Sequence, residues 1–330
     1  MHPPSASGRK QGEERMGLFQ WLFLFSLSLT AAASDDWCYQ SQECQNPGCK
    51  APRNWVEINE ECGGTNQSPI NIVTSKVENN WNLKPFEYTN YHIRQQSNWN
   101  VTNTGHSVQV DLDGSAKISS GDLPGLYKAV QFHFHWGRWN NVSKEMDPGS
   151  EHSINGERYA MELHIVHIKD EYDLSEAAQK KGLAVLGFFI AIGEKNKNYD
   201  TFISKLADIP SHGNKTEMAP LPLFSLIPEE EALKNYYRYT GSLTTPNCNE
   251  GVVWTLFQEP IQLSSEQVQT FVQKIYFDKT KNLPMEDNFR PVQPVGSRIV
   301  YKSDSDALVP PAKTLVLLPV AAYLLFSSIQ

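Results

Sequence analysis

The residues of this chain best suited to chemistry are two histidines in the segment 130–136, which reads VQFHFHW. Side chains alternate between the two faces of a β-strand, so Gln131, His133 and His135 share one face while aromatic side chains take the other. Two imidazoles on one rigid face make half of a metal site. The plainer interpretation is an amphipathic strand with two exposed histidines, and this motif by itself does not separate the two.

A second segment, residues 160–167 with the sequence AMELHIVH, supplies the missing half. Glu162 and His164 share one face of this strand, whereas His167 falls on the other and is assigned a structural role. A metal-binding imidazole is usually oriented by a hydrogen bond at its other ring nitrogen. Glu162 can accept that bond from His164, as Gln131 can on the first strand. Since catalytic zinc often has three protein ligands and one open position, the predicted ligands are His133, His135 and His164.

The elements that must position these side chains are short β-rich segments separated by turn residues, from about residue 67 to residue 301. Helical signals are few and short, with residues 174–181, 201–208 and 265–276 as candidates, the last capped by Ser264 or Ser265. No linker rich in proline, glycine or serine divides the middle of the 330 residues. The pattern predicts a single sheet-dominated α/β domain with a large, mainly antiparallel sheet and short peripheral helices.

Both ends of the chain resemble targeting signals. Residues 1–33 combine early basic residues, an apolar run and a final Ala31-x-Ala33, as in a secretory signal peptide, with Met16 as an alternative start. Residues 303–330 combine small residues, a spacer and a terminal apolar run with no Lys or Arg after it. This pattern predicts a glycosylphosphatidylinositol (GPI) anchor attached at Ser303, or alternatively at Ser305, while a retained membrane span is the competing interpretation. The predicted mature domain is then residues 34–302.

Cysteines, sequons and charge agree with secretion. Five cysteines follow the predicted signal peptide, so disulfides are expected in an oxidising compartment, with one cysteine left over. A sequon at Asn66 is disfavoured because Pro69 follows it closely. The formal net charge of −8 speaks against a nucleic-acid partner. The glycosylation candidates are the sequons at Asn100, Asn141 and Asn214.

Several motifs together resemble those of the alpha-class carbonic anhydrases, and the resemblance extends over roughly residues 37–301. With the terminal signals and the cysteines, it is strongest to the membrane-anchored, GPI-linked branch of that family. The matching segments are QSPINI at 67–72, NTGH at 103–106, QFHFHW at 131–136, SEH at 150–152, ELHIVH at 162–167, SLTTP at 242–246 and NFRPVQP at 288–294.

The resemblance implies a large twisted sheet that holds Zn²⁺ at the base of a cleft. The implied zinc ligands are His133, His135 and His164. The residues implied to hydrogen-bond the other ring nitrogen of each ligand are Gln131, Glu162 and Asn288, the last through its backbone carbonyl. The implied catalytic residues are His106, Glu151 and Thr244. The implied substrate-binding residues are Val166, Val185, Leu243, Thr244, Thr245 and Trp254.

The activity implied by the resemblance is reversible hydration of carbon dioxide to bicarbonate and a proton, by a zinc-bound hydroxide at the extracellular membrane surface. Thr244 would accept a hydrogen bond from the hydroxide and donate one to Glu151, and His106 would shuttle the proton to buffer. Thr104 and Gln109 stand where many members carry Asn, which leaves the speed of the shuttle open. The alternative function is a weak or inactive binding module on the cell surface.

The anchored relatives also imply two disulfides, Cys62–Cys248 and Cys38–Cys49, with Cys38–Cys44 as an alternative to the second. The implied partners are carbon dioxide and bicarbonate, sulfonamide-type inhibitors, the outer membrane leaflet through the GPI lipid, and bicarbonate transporters. A metal-dependent peptidase is excluded as a third class, since no HExxH motif occurs in the sequence.

Overall fold

Strands make up most of the regular structure in residues 37–43 and 48–303, the parts of the chain that the computed structural model describes. Their bounds are β1 (Asn71–Ile72), β2 (Glu78–Asn79), β3 (Phe86–Thr89), β4 (Trp99–Asn103), β5 (Val108–Asp111), β6 (Lys117–Ser120), β7 (Tyr127–Trp136), β8 (Trp139–Asn140), β9 (Glu145–Met146), β10 (Ser153–Ile154), β11 (Met161–Lys169), β12 (Leu183–Ile192), β13 (Lys215–Met218), β14 (Tyr236–Ser242), β15 (Glu250–Leu263) and β16 (Tyr301–Lys302).

Twelve of the described strands form one sheet, in the order β13-β4-β5-β7-β11-β12-β15-β14-β16-β2, with β3 and β6 joined beside β7. Within this sheet the pairs β12–β15 and β16–β2 are parallel, and the other pairs are antiparallel. The short pairs β1–β10 and β8–β9 lie outside it. The predicted fold, a single sheet-dominated domain with mainly antiparallel pairing, is confirmed.

Helices are short and peripheral, as expected. The α-helices of the described residues are α1 (Leu174–Gln179), α2 (Asp200–Lys205) and α3 (Ser265–Lys274). The 3₁₀-helices are Gln40–Gln42, Pro52–Glu57, Glu60–Gly63, Thr74–Lys76, Lys197–Tyr199, Leu206–Asp208, Leu223–Ser225 and Ala232–Lys234. Ser264 caps α3 in a reciprocal pair with Gln267. Helix α1 ends at Gln179, two residues earlier than predicted. Lys180 is its C-cap, and the left-handed φ of 56° at Lys181 cannot continue a helix.

The aromatic face of β7 packs into the main core. Phe132, Phe134 and Trp136 are buried there, and Phe134 lies 5.3 Å from Phe271 of α3 between ring centroids. Burying three aromatic side chains in alternation orients the strand unambiguously, because a one-residue slip would place them on the polar face. The histidine face of β7 is thereby turned away from this core, toward the side that carries the site.

Two disulfides occur in the described residues, Cys38–Cys49 and Cys62–Cys248. Cys44, the predicted odd cysteine, lies outside the described residues, as do the predicted signal peptide and all of the predicted anchor signal beyond Ser303. Within the part of the chain that is described, no helix is long and apolar enough to cross a membrane.

Candidate metal centre

Three imidazoles from the neighbouring strands β7 and β11 converge on one point. The register places His164 directly opposite His133, and His135 extends from the same face of β7. Nδ1 of His164 lies 3.3 Å from Nε2 of His133. One ring nitrogen of each of the three residues lies within 4.8 Å of the other two. His135 and His164 are buried and His133 is half-buried, so His133 is the most solvent-accessible of the three.

The second nitrogen of each ring is held by an acceptor behind the cluster. The three pairs are His133 Nδ1 with Gln131 Oε1 at 2.8 Å, His135 Nδ1 with the backbone oxygen of Asn288 at 2.8 Å, and His164 Nε2 with Glu162 Oε1 at 2.6 Å. An acceptor at one nitrogen of a neutral imidazole places the ring hydrogen there and leaves the lone pair on the other nitrogen. All three lone pairs are therefore directed into the cluster.

This donor set fits a zinc ion. In a tetrahedral site with zinc–nitrogen bonds of about 2.0–2.1 Å, two ligand nitrogens stand about 3.3–3.4 Å apart, which is the separation found between His133 and His164. Nε2 of His135 is buried and makes no hydrogen bond within the described residues. Burial lowers the pKa of both His133 and His135 below the ordinary value, so that both rings are neutral at pH 7 and able to bind a cation.

A second group with metal-ligating atoms close together, formed by His152, Glu162 and His164, has a different character. Its atoms bond one another: Oε1 of Glu162 is 2.7 Å from Nδ1 of His152 and 2.6 Å from Nε2 of His164. All three side chains are buried. The carboxylate is thus occupied as an acceptor, and this group supports the first cluster from behind.

Glu151, a predicted catalytic residue, lies beside the cluster and is buried, at 1% exposure. Its Oε1 accepts a hydrogen bond of 2.8 Å from the backbone N–H of Arg290. Its Oε2 lies 3.4 Å from Nε2 of His135 and accepts no hydrogen bond from the described residues. Thr244 is also buried, at 5% exposure, and no hydrogen bond between it and Glu151 occurs in the described structure.

The turn that carries Thr244 and Thr245 is held at its C-terminal end by Cys248. The backbone N–H of Cys248 donates to the carbonyl oxygen of Thr245 at 2.8 Å, and Cys248 is bonded to Cys62. On the other side of the turn, Leu243 donates through its N–H to the carbonyl of Asn249 at 3.0 Å. The turn is therefore held both by its own hydrogen bonds and by a covalent link to a distant part of the chain.

The predicted apolar wall is assembled across three adjacent strands. Val166 of β11 pairs with Val185 of β12, which pairs in turn with Trp254 of β15. All three side chains are buried, and the half-buried Leu243 packs against the same cluster. The Trp254 ring lies 4.8 Å from that of His164, edge to face, so this wall borders the imidazole cluster directly.

His106, the predicted proton shuttle, is connected to the cluster through Asn288. The Asn288 side-chain amide donates to the backbone oxygen of His106 at 3.0 Å, while its own backbone oxygen accepts from His135. His106 is half-buried as a residue, both of its ring nitrogens are buried, and its ring stacks on Trp37 with centroids 3.6 Å apart and planes 11° from parallel. A single residue, Asn288, thus connects the candidate shuttle His106 to the candidate ligand His135.

Comparison with known proteins decides the family. The family model for eukaryotic-type carbonic anhydrases matches residues 50–304. The chain belongs to this family. Carbonic anhydrase 4 of Oryctolagus cuniculus is 42% identical over 309 residues, which are 92% of this chain and 96% of the relative. Carbonic anhydrase 4 of Rattus norvegicus is 40% identical over 290 residues, 86% of this chain and 90% of the relative.

More distant relatives have the same activity in their names. Carbonic anhydrase 12 of Homo sapiens is 36% identical over 280 residues, 83% of this chain and 74% of the relative. The predicted family and the predicted class of enzyme are confirmed: the chain is a carbonic anhydrase. Enzymes of this family act on carbon dioxide and bicarbonate and depend on zinc.

Sequence reasoning missed several residues that this carbonic anhydrase uses to build its site. His152 bonds Glu162 through its ring and backbone nitrogens, and its Nε2 lies 2.7 Å from the hydroxyl of Tyr239. That hydroxyl lies 2.7 Å from Oγ of Ser68. Ser68 and His152 occur in the quoted motifs QSPINI and SEH, which could have pointed to them, whereas Tyr239 carried no signal. Arg290 was missed too, although it lies in the motif NFRPVQP.

The predicted modification sites differ in their surroundings. Asn100 on β4 and Asn141 beside β8 are exposed, while Asn214 is half-buried and accepts a hydrogen bond from Ser211 through its side chain. Ser303 is buried, its hydroxyl donating to the carbonyl of Lys234. Glycosylation at the three asparagines and attachment of a GPI lipid at Ser303 stay predictions.

Proposed function

We propose that this carbonic anhydrase binds zinc through His133, His135 and His164 and hydrates carbon dioxide reversibly at the outer face of a cell membrane. The proposal rests on the arrangement of the six ring nitrogens of these histidines. Three of them bond hydrogen-bond acceptors, and the other three are directed at one point. When bound there, zinc would lower the pKa of a coordinated water toward neutrality, the property for which carbonic anhydrase is the standard example.

Neutral ligands suit this task. Three uncharged imidazoles leave the full charge of a divalent cation in place, whereas thiolate ligands would cancel much of it. The acceptors behind the rings, Gln131, Glu162 and the carbonyl of Asn288, orient each lone pair and make the imidazoles better donors. The protein's contribution to the metal chemistry is thus a fixed geometry with one side left open to substrate.

Thr244 and Glu151 would orient the attacking oxygen. In this role, the Thr244 hydroxyl accepts a hydrogen bond from the attacking oxygen and donates its own hydrogen to Oε2 of Glu151. That carboxylate oxygen has no other donor in the described structure. The backbone N–H of Arg290 holds the second carboxylate oxygen and so keeps Glu151 in place. Threonine then has no spare hydrogen for the attacking oxygen, whose lone pair stays available to carbon dioxide.

Carbon dioxide carries neither charge nor dipole, so an apolar surface beside the metal is a suitable docking place. Val166, Val185, Leu243 and Trp254 would provide this surface, and Thr245 follows Leu243 by two residues, in the turn held by the hydrogen bond from Cys248. After each hydration a proton must leave the site. His106 would carry it to buffer, because an imidazole exchanges protons near neutral pH.

The proposed location rests on the sequence signals together with the disulfides. Cys38–Cys49 and Cys62–Cys248 suit an oxidising compartment. We expect phospholipase specific for phosphatidylinositol to release the enzyme from intact cells. Enzyme that stays on the cells after this treatment would favour a retained membrane span. Sulfonamide inhibition and contact with bicarbonate transporters stay predictions.

A metal-removal experiment tests the proposed chemistry. The purified protein should contain one zinc per chain, and stopped-flow hydration should vanish after dialysis against a strong chelator and return with added zinc. The matched comparison is His133→Ala, which should remain inactive under both conditions. A folded, untreated protein with no zinc and no hydration would instead support the alternative function, a binding module.

A further inference from the structure

We propose that His212 is a second proton-relay residue, which takes protons from the imidazole of His106 and passes them to buffer in the surrounding solvent. The proposal rests on the proposed shuttle role of His106 and extends that route by one residue. The His106 imidazolium gives its extra proton to the neutral ring of His212, and the His212 imidazolium then gives it to a buffer base. Both histidines return to the neutral state, so the conversion of carbon dioxide itself is unchanged.

The first observation is that the proton-carrying atoms of His106 are shielded. Both of its ring nitrogens, Nδ1 and Nε2, are buried, and the rings of Trp37 and Tyr39 lie against its own. A proton acceptor must come within hydrogen-bond distance of the nitrogen that gives up the proton. A buffer molecule cannot do so in this arrangement, and a proton that leaves His106 therefore needs an acceptor between it and solvent.

The second observation is that the ring of His212 lies on the residue before His106. Its atoms Cγ, Nδ1 and Cδ2 are only 2.8, 2.9 and 3.0 Å from the place that a Cβ atom at position 105 would occupy. Gly105 has a left-handed φ of 83°, and its lack of a side chain leaves room for the ring. His212 is also half-exposed. It thus combines contact with the turn of His106 and access to solvent.

The third observation is that one buried residue fixes both the loop of His212 and the turn of His106. The N–H of Asn103 donates to the carbonyl of Asn214 at 3.0 Å, and its carbonyl accepts from the N–H of Gly213 at 2.8 Å. Its side-chain Oδ1 accepts from the N–H of Gly105 at 2.9 Å. Asn103 therefore holds the two segments at a set separation. An imidazole placed there exchanges protons near neutral pH, as a relay requires.

The test uses the full-length enzyme and exchange of ¹⁸O between carbon dioxide and water at chemical equilibrium. This measurement yields two rates separately: interconversion of carbon dioxide and bicarbonate, and proton-dependent release of labelled water. The variants are His212→Ala, His212→Phe, His106→Ala and the double variant His106→Ala with His212→Ala. Phenylalanine keeps a flat ring against Gly105 but carries no proton. His92→Ala, at an exposed histidine in the turn after β3, is the matched control.

We expect His212→Ala and His212→Phe to slow water release in weak buffer, with interconversion unchanged. The loss should be about two- to tenfold, below the roughly 10²-fold typical of a group in direct contact with the reacting atoms, because water replaces the ring in part. Adding His212→Ala to His106→Ala should have no further effect, since the relay receives its protons from His106. Added 4-methylimidazole should restore release in His212→Ala, where the deleted ring leaves space beside Gly105, and less in His212→Phe.

A second measurement is independent of activity. Diethyl pyrocarbonate modifies accessible neutral imidazoles, and mass spectrometry of the digested protein identifies the histidines that have reacted. His212 should react before His106, whose ring nitrogens are buried. Earlier reaction of His106 would show that solvent reaches the shuttle directly and would count against a second relay.

The variants can also overturn the proposal. Wild-type release in His212→Ala, with slow release in His106→Ala, would show that His212 carries no protons although the shuttle stands. Slow release in His212→Ala with wild-type release in His212→Phe would show that the ring only packs on Gly105. A fall of both rates in His212→Ala would place its effect on the fold. Wild-type release in His106→Ala would instead refute the proposed shuttle itself.

Discussion

The ring of His152 stands directly behind Glu162, its Nδ1 2.7 Å from the carboxylate oxygen that also bonds the candidate ligand His164. Its backbone N–H donates to the other oxygen of the same carboxylate at 2.8 Å. A buried carboxylate would be costly without such donors. The pair therefore keeps a negative charge behind His164, where it orients the ring and strengthens its donor nitrogen.

From this contact we predict that His152→Ala weakens zinc binding about 10- to 100-fold, the usual cost of losing a partner behind a ligand. Stability should also fall, by about 1–3 kcal/mol, because Glu162 and Tyr239 each lose one of their buried hydrogen-bond partners. Chelator competition measures the first effect and urea unfolding the second. His92→Ala, at an exposed histidine, is the control and should change neither quantity.

A second prediction separates a ligand from the residue that orients it. Gln131→Ala removes the acceptor 2.8 Å from Nδ1 of His133 but leaves the ligand itself in place. Zinc affinity should drop about 10- to 100-fold, with hydration recovered at saturating zinc. His133→Ala should lose both at any zinc concentration. Equal loss in the two variants, measured by metal titration followed by stopped-flow hydration, would contradict the assigned roles.

A third prediction concerns the two disulfides, which close loops of very different length. Cysteines 62 and 248 are 186 residues apart and cysteines 38 and 49 only 11. In the chain-entropy model, removing the first costs about 5 kcal/mol of unfolding free energy and removing the second about 3 kcal/mol. Paired Cys→Ser variants followed by urea unfolding measure both values. A larger loss from the shorter loop would contradict the entropic explanation.

The longer disulfide should also matter for catalysis, because it holds the turn of Thr244 and Thr245. We expect the variant that lacks Cys62–Cys248 to lose interconversion activity at temperatures where it is still folded. The variant that lacks Cys38–Cys49 serves as the comparison and should keep interconversion. Intact interconversion in both would indicate that the hydrogen bond between Cys248 and Thr245 suffices to hold the turn.

A fourth prediction follows from His167, which the sequence assigned a structural role. It is fully buried, with Nε2 2.6 Å from the hydroxyl of Tyr91 and Nδ1 3.0 Å from the carbonyl of Ile165. Burial lowers its pKa to about 3, and the backbone carbonyls of Ile165 and Ala184 oppose this only in part. The folded protein therefore holds this ring neutral at pH values where the unfolded chain protonates it.

The direction of the pH dependence follows. Below pH about 6.5 the unfolded chain binds a proton at this position and the folded one does not, so stability falls as the pH drops toward 3. The slope attributable to one such group is at most about 1.4 kcal/mol per pH unit. His167→Gln should flatten the dependence between pH 6 and 4, as measured by urea unfolding at several pH values. An unchanged slope would show that other groups govern acid unfolding.

Much of the site can be read from local pattern because a strand alternates its side chains with a period of two. That period alone places His133 and His135 on one face of β7 and Glu162 and His164 on one face of β11. The buried aromatic residues on the opposite face of β7 then fix which side meets the core. The cap at Ser264 can also be predicted from local sequence, because its hydrogen bonds extend over a single helical turn.

What local pattern could not supply is the set of contacts between distant parts of the chain. Asn288 lies 153 residues from His135, and its role came only from the family resemblance. Tyr239 behind His152, Arg290 behind Glu151 and Trp37 on His106 are likewise far apart in sequence. The hydrogen bond from Thr244 to Glu151 also joins distant segments and stays a prediction: Oε2 of Glu151 lies 3.4 Å from Nε2 of His135 and accepts no hydrogen bond in the described structure.

The sequence by itself determined that the candidate metal ligands are histidines, which side chains share a strand face, the predominance of β-structure and the family. Only the tertiary structure decided which nitrogen of each ring faces the cluster, because that depends on acceptors brought in from remote segments. It also decided that strands β11, β12 and β15 align Val166, Val185 and Trp254 into one wall. Periodicity acts between neighbours along the chain, whereas strand order and register arise from how the whole sheet packs.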